Sequence, residues 1–132
     1  MVVRFSPQPY YLQLPTTAFR VFQRKDSWNG GGAAAEHSWS ELPGLDGRML
    51  FVGRGCSRSY EAAGNYPGYE GVYFLDDRSY HDTTILCGKS AERQFPFSDN
   101  GKWSEEEEPP RIEGFFPEPS LSNYSPPVWI LP

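Results

Sequence analysis

Two short apolar runs stand out from a polar, turn-rich chain: Met49-Leu-Phe-Val52 and Val72-Tyr-Phe-Leu75. Each is bounded by Gly, Arg or Asp. Runs of this length with such flanks predict strands buried on both faces. Val128-Trp-Ile-Leu131, entered through Ser125-Pro-Pro127, predicts a third. Ala18 to Arg24 is β-prone and mixed: Phe19 and Val21 share one face, while Phe22 shares the other with Arg20 and Arg24. Ser38 to Leu42 predicts a short strand, and Pro43-Gly-Leu-Asp-Gly47 supplies turn residues before Met49. Together they predict a hairpin over Ser38–Val52, with Trp39 as its core anchor.

Further strands are expected at Cys56–Tyr60, Thr83–Cys87 and Ile112–Phe116. Gln94–Phe97 and Lys102–Trp103 flank Asn100-Gly101, which predicts a hairpin, with Pro96 confining its first strand to an edge. Gly64-Asn-Tyr-Pro-Gly68 and Asp76–Asp82 read as a turn and a polar loop. Residues 1–16, interrupted by Pro7, Pro9 and Pro15, read as a weakly ordered segment, and residues 26–36 hold a Gly/Ala-rich insertion. No segment carries sustained helical periodicity. The pattern predicts an all-β fold.

Composition narrows the function. Thirteen Gly and thirteen Pro in 132 residues argue against long helices, and 16% aromatic residues argue against disorder. A net charge of −5 disfavours nucleic acid, whose phosphates need a basic footprint. No run of about 18 apolar residues suggests a membrane span. The N-terminus lacks a charged leader with an apolar stretch, and two cysteines make no disulfide framework, so a reduced compartment, cytoplasm or nucleus, is expected.

No catalytic or metal constellation emerges. Gly53-Arg-Gly-Cys-Ser-Arg58 has the makings of an anion-binding nest, but no Gly-Lys-Ser/Thr follows and no helix opens, so a strand end with a bulge is the plainer reading. Cys56, Cys87, His37 and His81 lack metal-ligand spacing, and no cofactor is expected. Asp76, Asp77 and Asp82 lack calcium-loop periodicity and read as a solvated turn. Glu105–Glu108 reads as a solvated charge run. Trp39, Tyr73, Phe74, Trp103 and Trp129 are assigned mostly to the core. Tyr66 and Tyr69, in a Gly/Pro turn, are candidate contact residues.

The wording of several segments is more specific. Leu50-Phe-Val-Gly-Arg-Gly-Cys-Ser-Arg-Ser59, Gly71-Val-Tyr-Phe-Leu-Asp-Asp77, Thr17–Phe22, Trp39–Leu42, Asp99–Trp103 and Pro127–Pro132 together resemble the C-terminal part of plant F-box proteins that carry a KIB-type β-propeller domain. The resemblance covers residues 17–132. It implies an incomplete propeller of about two to three blades of antiparallel hairpins, since a blade takes about 40–50 residues. It also implies a non-enzymatic module like the substrate receptors of cullin-type ubiquitin ligases, binding an unknown protein target. Adaptor binding is not expected, because no F-box is present in this sequence. Arg54, Arg58, Tyr66 and Tyr69 are the candidate contact residues. Two alternatives stand beside this reading: a truncated family member without retained activity, and a hydrolase-like enzyme using Cys56 and His81.

Overall fold

The computed structural model describes residues 1–6, 15–27, 36–53, 57–62, 64, 66–77, 94–105, 111–115, 121–122 and 125–130. These are all-β, with ten strands in three open sheets. Strands β1 (Val2–Phe5), β2 (Ala18–Ser27) and β3 (Glu36–Glu41) form the first sheet, in that order and antiparallel. The second contains β4 (Arg48–Val52), β5 (Arg58–Glu61), β6 (Gly71–Phe74), β8 (Gly101–Ser104) and β9 (Arg111–Glu113), ordered β5-β4-β6-β8-β9. The third is a two-stranded ladder of β7 (Phe95–Pro96) and β10 (Leu121–Ser122).

The core lies between the first two sheets. Register places Leu50 beside Val72 and Val52 beside Phe74, then Val72 beside Trp103 and Trp103 beside Ile112. These six share one face of the large sheet because side chains alternate along a strand. Phe19 and Val21 of β2 and Val2 of β1 pack against that face, as does Leu45. The alternation expected in β2 is therefore present. Its outward side holds the Arg20 guanidinium over the Phe22 ring, 5.4 Å from the centroid, and Arg20 also pairs with Glu41 across to β3. Farther along this exposed ribbon, Asp26 accepts from Arg24 at 2.7 Å and lies 2.8 Å from His37 Nδ1. Those two partners hold its carboxyl down at about 2.

Residues 1–16, expected to be weakly ordered, contain β1 and a polar anchor. All five N–H groups of the Arg4 guanidinium are engaged. Nε donates to Thr16 Oγ1, Nη1 to the Leu75 carbonyl and to Asp77 (2.6 Å), and Nη2 to the Asp99 carbonyl and carboxylate (2.6 Å). Thr16 donates its own N–H and hydroxyl to Asp99, each at 2.9 Å. Asp76, expected in a solvated loop, is instead buried and accepts the Asp99 N–H at 3.0 Å. The cluster joins β1 to the segments that follow β6 and precede β8. A buried carboxylate so close to an apolar run is tolerated where it accepts a hydrogen bond, as Asp76 does from the Asp99 N–H.

Three strand expectations are corrected. The Ser38–Val52 hairpin does not form. Asp46 and Gly47 both have positive φ (49° and 66°), and Arg48 N–H donates to the Leu45 carbonyl at 3.1 Å, the signature of a type I′ turn. That turn hands the chain from one sheet to the other, so β3 pairs with β2 and not with β4. Trp39 is thereby left on the ribbon, 52% exposed, and is no core anchor. Trp39→Ala is accordingly expected to change stability by no more than about 0.5 kcal/mol, the range for surface sites, where a core tryptophan would cost about 3–5. Urea unfolding distinguishes these outcomes.

The Asn100-Gly101 hairpin is also absent. Asn100 is buried, donates Nδ2 to the Phe97 carbonyl at 2.5 Å and accepts the Phe115 N–H at 2.9 Å. Gly101 passes so close to β9 that a Cβ there would overlap the Glu113 carbonyl. Glycine serves here for close approach, not for a two-residue turn. β7 pairs with β10 instead, keeping Pro96 in a two-stranded ladder that has only edges. Finally, residues 126–130 belong to no ladder, so Val128–Ile130 is not a strand; Leu131 lies outside the described residues. The expectation of antiparallel hairpins alone is corrected too, because β4 and β6 run parallel. Thr83–Cys87 lies outside the described residues.

Candidate functional site

The second face of the large sheet carries an aromatic layer. Alternation turns Met49, Phe51, Tyr60, Tyr73 and Lys102 away from the core that Leu50, Val52, Val72, Phe74 and Trp103 build. Phe51 and Tyr73, register neighbours on β4 and β6, stack at 4.9 Å with rings 17° apart. Phe115 extends the stack beyond Tyr73 at 6.1 Å and 9°. Tyr60 meets Phe51 edge-on at 5.8 Å. Trp129 meets both Phe51 and Phe115 edge-on, at 5.1 and 5.9 Å. None of these five side chains is fully buried.

At one rim the turn after β5 presents Tyr66 and Tyr69, 56% and 59% exposed, with rings edge-on at 6.5 Å. Gly64 and Gly68, both at positive φ, make this turn possible. It is tied to the layer twice: Tyr73 donates its hydroxyl to the Tyr69 carbonyl, and Lys102 donates Nζ to the Gly68 carbonyl, each at 2.8 Å. Burial raises the Tyr73 phenol above its ordinary value, and the neighbouring Tyr69, Glu70 and Glu113 add to this. Tyr73 is thus a neutral donor at physiological pH. Arg58 stands opposite Phe51 on β5 and is exposed. Beside the turn, Pro43, Leu45, Asp46, Glu70 and Glu105 help line an open groove of about 290 Å³.

Of the sequence candidates, Tyr66, Tyr69 and Arg58 lie on or beside this face, and the tyrosines are a contacting pair. Arg54 lies outside the described residues, as do Cys56, Cys87 and His81. The assignment of aromatics to the core holds for Phe74 and Trp103 but not for Tyr73, Trp129 or Trp39. Sequence reasoning missed Phe51, Tyr60 and Phe115 as members of a surface layer. The signal was present in part: Phe51 and Tyr73 alternate with their core neighbours inside runs that look uniformly apolar.

The layer offers flat π surfaces, the phenols of Tyr60 and Tyr73, the Lys102 ammonium and the Arg58 guanidinium. Among the described residues, no group of three or more His, Cys, Asp or Glu is placed to hold a metal ion, and no helix is long and apolar enough to cross a membrane. No family model, curated protein or solved structure matches this chain.

Proposed function

We propose that this chain is a non-enzymatic protein-interaction module that binds its target through the outward face of the five-stranded sheet. The observation that carries the reading is the aromatic layer of Phe51, Tyr60, Tyr73, Phe115 and Trp129, rimmed by the exposed Tyr66–Tyr69 pair. Tyrosine, tryptophan and arginine are the residues that dominate binding energy at interfaces, since they combine large apolar area with a polar tip. The rim tyrosines are held by backbone-directed bonds from Tyr73 and Lys102, so little order is lost on binding.

The resemblance to KIB-type propeller domains of plant F-box proteins supports the same class of function, a receptor that holds a protein substrate. The all-β architecture is compatible with that family. The parallel β4–β6 pair departs from the antiparallel strands of a propeller blade. Cytoplasm or nucleus is the proposed compartment.

Tyr66→Ala and Tyr69→Ala test the reading. Both side chains are exposed, so the unfolding midpoint is expected to stay within the surface range. Each substitution is expected to weaken binding to the isolated target by about 5- to 30-fold, about 1–2 kcal/mol at a contact tyrosine. Undiminished affinity in the double variant, measured by calorimetry, would place the contact elsewhere.

A further inference from the structure

The groove beside the Tyr66–Tyr69 turn combines apolar and acidic walls. Pro43, Gly44 and Leu45 supply the first, and Asp46, Glu70 and Glu105 the second. Sheet topology brings the three acids together. Asp46 precedes β4 and Glu70 precedes β6, and these strands run parallel, so both residues lie at the same end of the sheet. Glu105 follows β8, which runs antiparallel to β6 and therefore finishes at that end. Its carboxylate lies over Gly44, within 4 Å of where a Cβ would stand. Among the described residues, none of the three acids has a cationic partner. The nearby Lys102 ammonium is held by the Gly68 carbonyl. The three carboxylates are also not grouped closely enough to hold a metal ion.

We infer that this groove takes a lysine or arginine side chain of the protein target, its aliphatic stem against Pro43 and Leu45 and its charged head among Asp46, Glu70 and Glu105. This rests on the reading of the chain as a protein-binding module. Charge complementarity selects the occupant. An apolar side chain would cover the carboxylates without pairing them, which carries a desolvation penalty. A long cationic side chain matches both walls, because its methylenes pack on apolar surface while its head carries three to five donors. The volume, about 290 Å³, is small for a ligand pocket and suits single side chains. Tyr69 directly precedes Glu70, so a target segment resting on the exposed tyrosine pair passes the groove. Exposed ion pairs contribute little affinity one by one. The groove therefore acts mainly on the choice and capture rate of a basic segment, and the net charge of −5 favours the same partner.

The probe is a terminally blocked pentapeptide with arginine between glycines, titrated into the isotopically labelled full chain. The amide signals of Leu45, Asp46, Glu70 and Glu105 are expected to move, with a Kd in the millimolar range. Raising salt from about 20 to about 300 mM is expected to weaken binding at least about fivefold, through screening of exposed charge. The same peptide with glutamine in place of arginine is expected to leave these signals unmoved. Glu70→Gln/Glu105→Gln removes two charges at nearly constant shape. It is expected to weaken the arginine peptide at least about fivefold while the unfolding midpoint stays within the surface range. Signals that stay still up to about 20 mM peptide overturn the inference. So does equal binding of the glutamine peptide, or equal shifts at Asp26 and Glu41 on the outer ribbon, which would show loose attraction to any exposed acid. The peptide reports on the groove alone, whereas Tyr66→Ala/Tyr69→Ala reports on target binding, so the groove and the protein-binding reading fail separately.

Discussion

Phe74→Ala is expected to lower the stability of the chain by about 3–5 kcal/mol, the cost of emptying a fully enclosed phenylalanine site. Phe74 is 1% exposed and sits where both sheets meet. Its ring lies 5.0 Å from Phe19 of the small sheet, and the Arg4 guanidinium covers it at 5.2 Å. On its own sheet it stands between Val52 and Gly101. Glycine on one side leaves no neighbouring side chain to relax into the space, so the cavity term is retained in full. Marginal stability of about 0.05–0.15 kcal/mol per residue makes such a loss a large share of the total. The urea midpoint is expected to fall with an unchanged slope. A loss below about 1 kcal/mol would mean that the two sheets do not share this core.

Arg4→Met is expected to be comparably severe, at about 3–5 kcal/mol, for a different reason. Methionine keeps an apolar stem while deleting all five donors and the guanidinium that lies over the Phe74 ring. The Asp99 carboxylate, 7% exposed, then loses its cationic partner beside Asp76 and Asp77. Removing one member of a buried ion pair costs more than the pair contributes, because the remaining charge stays desolvated. The same change frees the Leu75 and Asp99 carbonyls. The effect is expected to concentrate on β1: hydrogen exchange of Val2–Phe5 amides in the variant is expected to rise above that of β6. Uniform exchange with an unchanged midpoint would show that the cluster is ornamental to stability.

The limits of sequence reading here have particular physical causes. The strands β2, β4 and β6 were legible because short apolar runs between turn residues have few other outcomes. Their partners were not legible. Asp46-Gly47 is chemically a hairpin turn, yet the strands on either side of it join different sheets, and Trp39 lost its expected core neighbours as a result. Asn100-Gly101 carries the strongest short-range hairpin signal, yet Asn100 is consumed as a brace for Phe97 and Phe115. The Arg4 cluster joins residues more than seventy positions apart, and no local pattern announces that. At the candidate site, turn chemistry exposed Tyr66 and Tyr69 to view. The layer beneath them was hidden because Phe51 and Tyr73 lie inside continuous apolar runs, where composition alone does not separate a core face from an outward one.

The protein-binding role of the outward face is tested most directly by site-specific photo-crosslinking. A benzophenone side chain placed at Tyr69, in the full chain, samples the rim of the aromatic layer; the same group at Gln23, on the exposed outer ribbon, samples surface away from it. In extract from the native source, position 69 is expected to yield one dominant covalent partner. That yield should fall on adding an excess of unmodified native chain and should not fall on adding the Tyr66→Ala/Tyr69→Ala chain. Equal yields from positions 69 and 23, or a position-69 product that both competitors suppress alike, would contradict the assignment of this face.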